Sequence, residues 1–196
     1  MPELRLDEAT HEYHLDGALI PSVTQVLKEA GLISFEGIDP ALLEFAQARG
    51  KAVHAAIHFL DEGDLLWASV NPLIEGYIRA YEFFKETVGF VVEQSERQVF
   101  NPTFRFAGTL DCLGSIRGRG SKILVDLKTS PVMPWVGLQL AGYDLCLDRT
   151  VSRERWAVHL SGDGKFYISE FRDRSDQQIF LSALAVANWR RNHNGK

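Results

Sequence analysis

Two hydrophobic periods divide the chain. Glu12 to Leu19 reads as short strands around Asp16-Gly17, a dipeptide that favours a two-residue hairpin. Pro21-Ser22 then opens a helix: Ser22 is its N-cap, Val23, Val26 and Leu27 form an apolar stripe, and Gly31 ends it. Pro40 starts a second helix, about Ala41 to Leu60, in which Leu42, Leu43, Ala46, Val53, Ile57 and Leu60 recur near helical spacing. A third runs from about Pro72 to Val88 through Leu73, Tyr77, Ala80, Tyr81 and Phe84. The texture changes at Gly89. Phe90 to Phe100, Phe104 to Ile116 and Lys122 to Leu127 are rich in β-branched and aromatic residues and read as a β-meander, interrupted by Asn101-Pro102 and Gly118-Arg119-Gly120. Helical spacing returns over Trp135 to Leu147. Arg155 to Leu160 and Phe166 to Phe171 read as two further strands joined by Ser161-Gly162-Asp163-Gly164. A last helix spans about Ser175 to Trp189, its acidic start and basic end suiting the macrodipole. The order predicts an α/β fold with a mixed central β-sheet flanked by helices.

Composition narrows the class. At about 150 residues per domain, 196 residues predict a single domain. Apolar residues make up 45% and charged residues 24%, ordinary for a soluble globular chain. No apolar run approaches the ~20 residues of a membrane span, and no secretory pattern opens the chain, so a cytoplasmic protein without a membrane partner is expected. Cys112 and Cys146 are the only cysteines, too few for a disulfide scaffold, and too few to hold a structural zinc or an iron–sulfur cluster alone. The net charge of −5 disfavours a broadly basic nucleic-acid surface. It does not exclude one cleft that combines clustered carboxylates with local Lys and Arg, because net charge speaks to solubility rather than to the chemistry of one site.

The chemistry-bearing stretch is Gly108-Thr109-Leu110-Asp111 followed by Asp126-Leu127-Lys128-Thr129. Asp111 is read at the end of one strand, with Asp126 and Lys128 at the end of the next. Strand side chains alternate, so Asp126 and Lys128 share a face while Leu127 points into the core. An isolated Asp-x-Lys usually marks a solvated edge, but Ile123-Leu124-Val125 reads as a buried strand, so Asp126 terminates a core element. If the strands pair, Asp111 and Asp126 converge, and two carboxylates there require a proton or a cation between them. Hard oxygen ligands suit Mg²⁺ or Mn²⁺. The Lys128 ammonium could then orient an attacking water and stabilise developing charge.

These residues, with Gln139-x-x-x-Tyr143, with Arg49-Gly50-Lys51-Ala52-Val53-His54 upstream, and with the opening Tyr13-His14-Leu15-Asp16-Gly17 to Pro21-Ser22-Val23-Thr24, resemble the RecB-like branch of the PD-(D/E)XK nuclease superfamily over about residues 10 to 147. The resemblance implies a restriction-endonuclease-like core over 89–196, capped by an N-terminal hairpin and helices over 1–88. It implies Mg²⁺ or Mn²⁺ held by Asp111, Asp126, the Leu127 carbonyl and His54. A glutamate from the preceding strand belongs to the pattern; Glu93 and Glu96 compete, and three residues apart they face opposite sides of a regular strand, with Glu96 favoured. Lys128 would be the catalytic lysine, with Gln139 and Tyr143 orienting it or touching the DNA backbone. The function implied is a DNA exonuclease acting on linear ends or single strands in phage or bacterial recombination, replication or repair, with a partner protein from those processes. Gly-Thr-Leu stands where other branches have proline before the first carboxylate. The second carboxylate is Asp rather than Glu.

Other residues admit plainer readings. Arg49 and Lys51, beside His54, are candidate phosphate contacts, and Trp135 is either core or a stacking surface for an unpaired base. His58, four residues after His54, could complete a zinc pair but is read as filler, because no zincin spacing accompanies it. His11, His14, His159 and His193 have no partner pattern. Arg117, Arg119 and Lys122 read as a soluble hairpin tip, Phe104 and Phe106 as one packed sheet face, and Cys112 as buried core on the face opposite Asp111. Against the nuclease stand a catalytically silent DNA- or protein-binding module on the same fold and, more distantly, a zinc hydrolase.

Overall fold

The first three helices begin where short polar side chains can satisfy free backbone amides. Ser22 Oγ accepts from the Gln25 amide at 3.1 Å while the Gln25 side chain accepts from the Ser22 amide at 2.9 Å, a capping box. Helix α1 (Val23–Glu29) follows it. Asp39 caps α2 (Pro40–Glu62) at the Ala41 and Leu42 amides, and Asn71 caps α3 (Pro72–Val88) at Leu73. Each of these two helices has proline in its first turn and stops at a glycine with positive φ, Gly63 at 82° and Gly89 at 70°. The structure, a computed structural model, describes residues 2–193.

Strands β1 (Leu4–Asp7), β2 (Glu12–Leu15) and β3 (Ala18–Ile20) form a small antiparallel sheet. The larger sheet holds β4 (Phe90–Asn101), β5 (Phe106–Ile116), β6 (Lys122–Lys128), β7 (Arg153–Leu160) and β8 (Phe166–Glu170) in that spatial order. Its pairs are antiparallel except β6–β7, which is parallel and bridged by α4 (Trp135–Asp144). Helix α5 (Asp176–His193) closes the chain. The fold is therefore α/β, a mixed five-stranded sheet flanked by helices. On one face Val23, Leu27, Phe106, Leu124, Leu140 and Phe180 pack with α1, α4 and α5. On the other, Val53, Ile57, Tyr81, Phe84, Val125 and Val158 pack with α2 and α3. Among the described residues no helix is long and apolar enough to cross a membrane.

Several elements differ from the pattern reading. Strand β1 was not anticipated, because its turn to β2 contains no glycine: His11 itself takes φ 56°. Phe104 does not share a face with Phe106. It lies in a turn whose Thr103 and Phe104 amides donate to Asn101 Oδ1, and it is exposed while Phe106 is buried. Leu42 is 67% exposed, since the first turns of α2 project past the sheet and only from Val53 onward does its stripe meet the core. Helix α4 ends at Asp144, short of Leu147, in turns closed by the Cys146 and Leu147 amides.

Gly76 in α3 lies against the β7–β8 turn, where an added Cβ would stand 1.8 Å from the Gly162 carbonyl oxygen. In a free helix Gly→Ala stabilises by up to ~1 kcal/mol. Here the clash is with backbone, which cannot rotate away. Gly76→Ala should therefore destabilise by about 1–3 kcal/mol, as overpacking does, seen as a lower urea midpoint with an unchanged slope.

Candidate active site

Strands β5 and β6 pair only from Cys112 opposite Val125 to Ser115 opposite Lys122. One step further the ladder ends, although β6 remains paired to β7 through Lys128. Two side chains take the Leu127 backbone groups. Asp111 Oδ2 accepts from the Leu127 amide at 2.6 Å, and His54 Nε2 donates to the Leu127 carbonyl at 3.1 Å. Asp111 is thus interior to β5 rather than at its end; what ends there is its pairing.

His54 enters from α2, about two turns before the helix ends. With Nε2 committed to a carbonyl, its Nδ1 faces two carboxylates, Asp111 Oδ1 at 3.4 Å and Glu96 Oε1 at 3.6 Å. One donor atom from each of His54, Glu96 and Asp111 lies within 4.8 Å of the others, close enough to hold one ion. A single imidazole with hard carboxylate oxygens could hold a divalent cation. Glu96 reaches the cluster because β4 is irregular there: the register shifts between Val92 and Gln94, and Glu96 takes φ 47°. Glu93 is spent elsewhere, accepting from Lys122 Nζ at 2.5 Å and Ser115 Oγ at 2.8 Å.

Asp126 is not part of that three-residue cluster. Fully buried beside Asp111, it takes the nearest counter-charge, Lys128 Nζ, at 2.5 Å. Lys128 also donates to Gln139 Oε1 at 3.2 Å, and Gln139 Nε2 donates to the Tyr143 hydroxyl at 3.1 Å and to Thr24 Oγ1 at 3.3 Å. Gln139 and Tyr143, one turn apart on α4, therefore brace the lysine from the sheet's α1/α4 side. Both are buried. Trp135 is half-buried, with the Lys128 ammonium 5.8 Å from its ring centroid. The Leu127 carbonyl orients His54 rather than standing free as a donor.

Burial and charge set the protonation states. Burial works to lower His54, but the carboxylates of Asp111 and Glu96 overcome it and push the imidazole up to about 10. Burial would raise Asp111; the His54 charge, its hydrogen bond, and Lys128 hold it below its ordinary value instead. Asp126, raised first by burial and also by Asp111, rises to about 6 despite Lys128.

His54, Glu96 and Asp111 line a cleft of about 550 Å³ whose walls also include Tyr13, Thr24, Lys51, His58 and Thr109. The Tyr13 hydroxyl meets Thr109 Oγ1 at 2.7 Å, so the small sheet is tied to β5 two residues before Asp111. Thr24, Tyr13 and Thr109 lie within the motifs that carry the resemblance, but nothing in the sequence showed which residues they meet, since each contact joins elements distant in the chain. Lys51 is exposed at the cleft. Arg49 Nη2 donates to the Thr129 carbonyl at 3.0 Å, and the guanidinium lies 5.3 Å from the Tyr77 ring and 5.9 Å from Phe45. His58 hydrogen-bonds Ser95 at 3.2 Å and stands apart from the three-residue cluster.

No protein-family model and no curated protein matches the chain. Among solved structures it is similar to an alkaline exonuclease, LHK-Exo, from Laribacter hongkongensis, at 13% identity and a TM-score of 0.43, over 89% of this chain and 92% of that one. The same exonuclease in complex with dAMP aligns at 14% identity and a TM-score of 0.41, over 90% and 94%. The protein SSO0001 aligns at 14% identity and a TM-score of 0.40, over 85% and 84%.

The raised pKa of His54 has a consequence for the metal-free protein. A raised folded value means that the stabilisation is fully present below the ordinary histidine value of about 6.5 and is lost as pH climbs through about 10. The thermal midpoint should fall between pH 7 and pH 10, and the fall should be shallower in His54→Gln. Parallel slopes in the two proteins would show that His54 holds no extra proton.

Proposed function

We propose that this chain is a divalent-metal-dependent deoxyribonuclease of the RecB-like branch of PD-(D/E)XK nucleases, using Mg²⁺ or Mn²⁺ to cut phosphodiester bonds as an exonuclease on linear DNA. A setting in phage or bacterial recombination, replication or repair belongs to the same reading. The observation that carries it is the convergence of His54, Glu96 and Asp111 on an open cleft, next to the Lys128–Asp126 ion pair. A purely structural ion pair would not also need three more ionisable side chains packed around one point.

The ion, when bound, polarises the scissile phosphate and lowers the pKa of a coordinated water. The chain's own residues do the rest. Asp111 and Glu96 supply the negative charge that holds a dication, and His54 gives up its proton to offer Nδ1, with Nε2 fixed on the Leu127 carbonyl. Lys128, paired with Asp126 and aimed by Gln139, presents an ammonium where charge develops on the phosphate oxygens and where an attacking water must be placed. Tyr143 and Thr24 fix Gln139 and so act through the lysine. Lys51 at the rim is free to meet a phosphate.

Release of nucleotides from end-labelled linear DNA with Mg²⁺ or Mn²⁺ tests this. Asp111→Ala and Lys128→Ala should lose roughly 10²-fold or more, the scale of removing one preorganised electrostatic group. Gln139→Ala should lose about 10- to 100-fold, as loss of an orienting partner does. Mn²⁺ should raise the thermal midpoint of Lys128→Ala but not of Asp111→Ala. Equal DNA cleavage by all four proteins would refute the mechanism, and a metal-induced rise without any cleavage would leave a silent binding module.

A further inference from the structure

The sheet carries the proposed lysine outward into a row of side chains that the mechanism does not use. Lys128 on β6 is in register with His159 on β7, and His159 with Tyr167 on β8. Residues in register across neighbouring strands share a face, at about 4.8 Å per strand. One row further in, Asp126, Ala157 and Ser169 are in register, and Ala157 is fully buried. At the Lys128 row that burial gives way. His159 is the one position between Arg155 and Leu160 that is not buried, and Tyr167 on the edge strand is 47% exposed. The two rings stack with centroids 4.4 Å apart and planes 28° from parallel. The Trp135 ring centroid lies 5.8 Å from the Lys128 ammonium. Burial, and then the Arg49 guanidinium, hold His159 below its ordinary value, so at pH 7 it is a neutral aromatic face.

We infer that the row His159–Tyr167, running from Lys128 across the ends of β7 and β8, is a stacking platform for unpaired bases of the strand whose phosphate reaches the metal cluster. This rests on the nuclease reading above and adds to it the path and the single-stranded character of the substrate next to the cut. The reasons are geometric. The row starts at a cation suited to a phosphate, ends in an exposed aromatic ring about 10 Å away, and so has room for one or two bases. It lies beyond the C-terminal ends of the parallel strands, where open α/β sheets bind ligands. Aromatic faces accept any base, because every base has a π-face.

Binding of a labelled short oligothymidylate to the full chain, followed by fluorescence anisotropy in EDTA to prevent cleavage, separates the outcomes. Tyr167→Ala and His159→Ala should weaken it by about five- to a hundred-fold, the range of base–aromatic stacking, while Tyr167→Phe stays near wild type. An abasic oligonucleotide of the same length should bind all four proteins alike. No oligothymidylate binding by the wild type, unchanged binding in Tyr167→Ala, or equal losses on the abasic probe would overturn the platform. The two readings fail separately. DNA cleavage by the wild type with binding unaltered in Tyr167→Ala would sink the platform and keep the nuclease. Base-dependent binding through Tyr167 with no cleavage in any metal would do the reverse.

Discussion

The site depends on a gap in a β-ladder. Where β5 and β6 stop pairing, the Leu127 amide and carbonyl would be left without strand partners in a buried position, at a cost of about 1–3 kcal/mol for each unmet group. Asp111 and His54 meet them, from β5 and α2. The same two bonds that repair the backbone bring a carboxylate and an imidazole to one point. Fold and site are therefore built by one set of contacts, and neither side chain can be removed without opening the ladder again.

The surrounding charges follow from that constraint. Moving an ion from water into a protein interior costs several kcal/mol even after relaxation, and Asp111 and Asp126 enter the same buried region. The chain offsets one with His54 and the other with Lys128. The compensation is uneven: Asp126 stays above its ordinary value, with burial the larger influence. Carboxylates held in such a state resist full charge balance by protein groups alone, an arrangement common where function and stability pull apart. On the reverse of the sheet, Cys112, next in the chain to Asp111, touches the Tyr81 hydroxyl at 3.4 Å. Tyr81 donates to Asp61 at 2.7 Å, and Asp61 is paired with Lys85 at 2.6 Å. Asp61 lies two turns after His54 on α2, so this buried pair fastens to the sheet the helix that delivers the imidazole.

Local rules were legible and long-range ones were not. Ser22, Pro40 and Pro72 announced three helix starts, because first-turn signals need only their own neighbours. The alternation of Asp126, Leu127 and Lys128 gave their faces correctly for the same reason. The expectation that only one of Glu93 and Glu96 faces the cluster assumed a regular strand, whereas a register shift and a left-handed Glu96 bring Glu96 beside His54 and Asp111. The contacts of Arg49 with Thr129, Tyr77 and Phe45 were not legible, because nothing in a sequence shows those residues meeting it. His159 read as unpaired because its partner, Tyr167, becomes a neighbour only through strand register.

The roof of the cleft extends the same logic. The small sheet is joined to the large one by Tyr13 on Thr109 and by the Ala107 amide on the Pro21 carbonyl, both close to Asp111 in sequence. Helix α1 begins at once after Pro21, so Thr24 in its first turn comes to lie against Gln139, the residue that aims Lys128. A change in the N-terminal hairpin would thus be felt at two places, at the strand that carries Asp111 through Thr109 and at the lysine through Thr24. What looks like a lid is mechanically part of the floor. Geometry at the proposed reacting centre is set as much by residues 13–24 as by the sheet that carries the carboxylates.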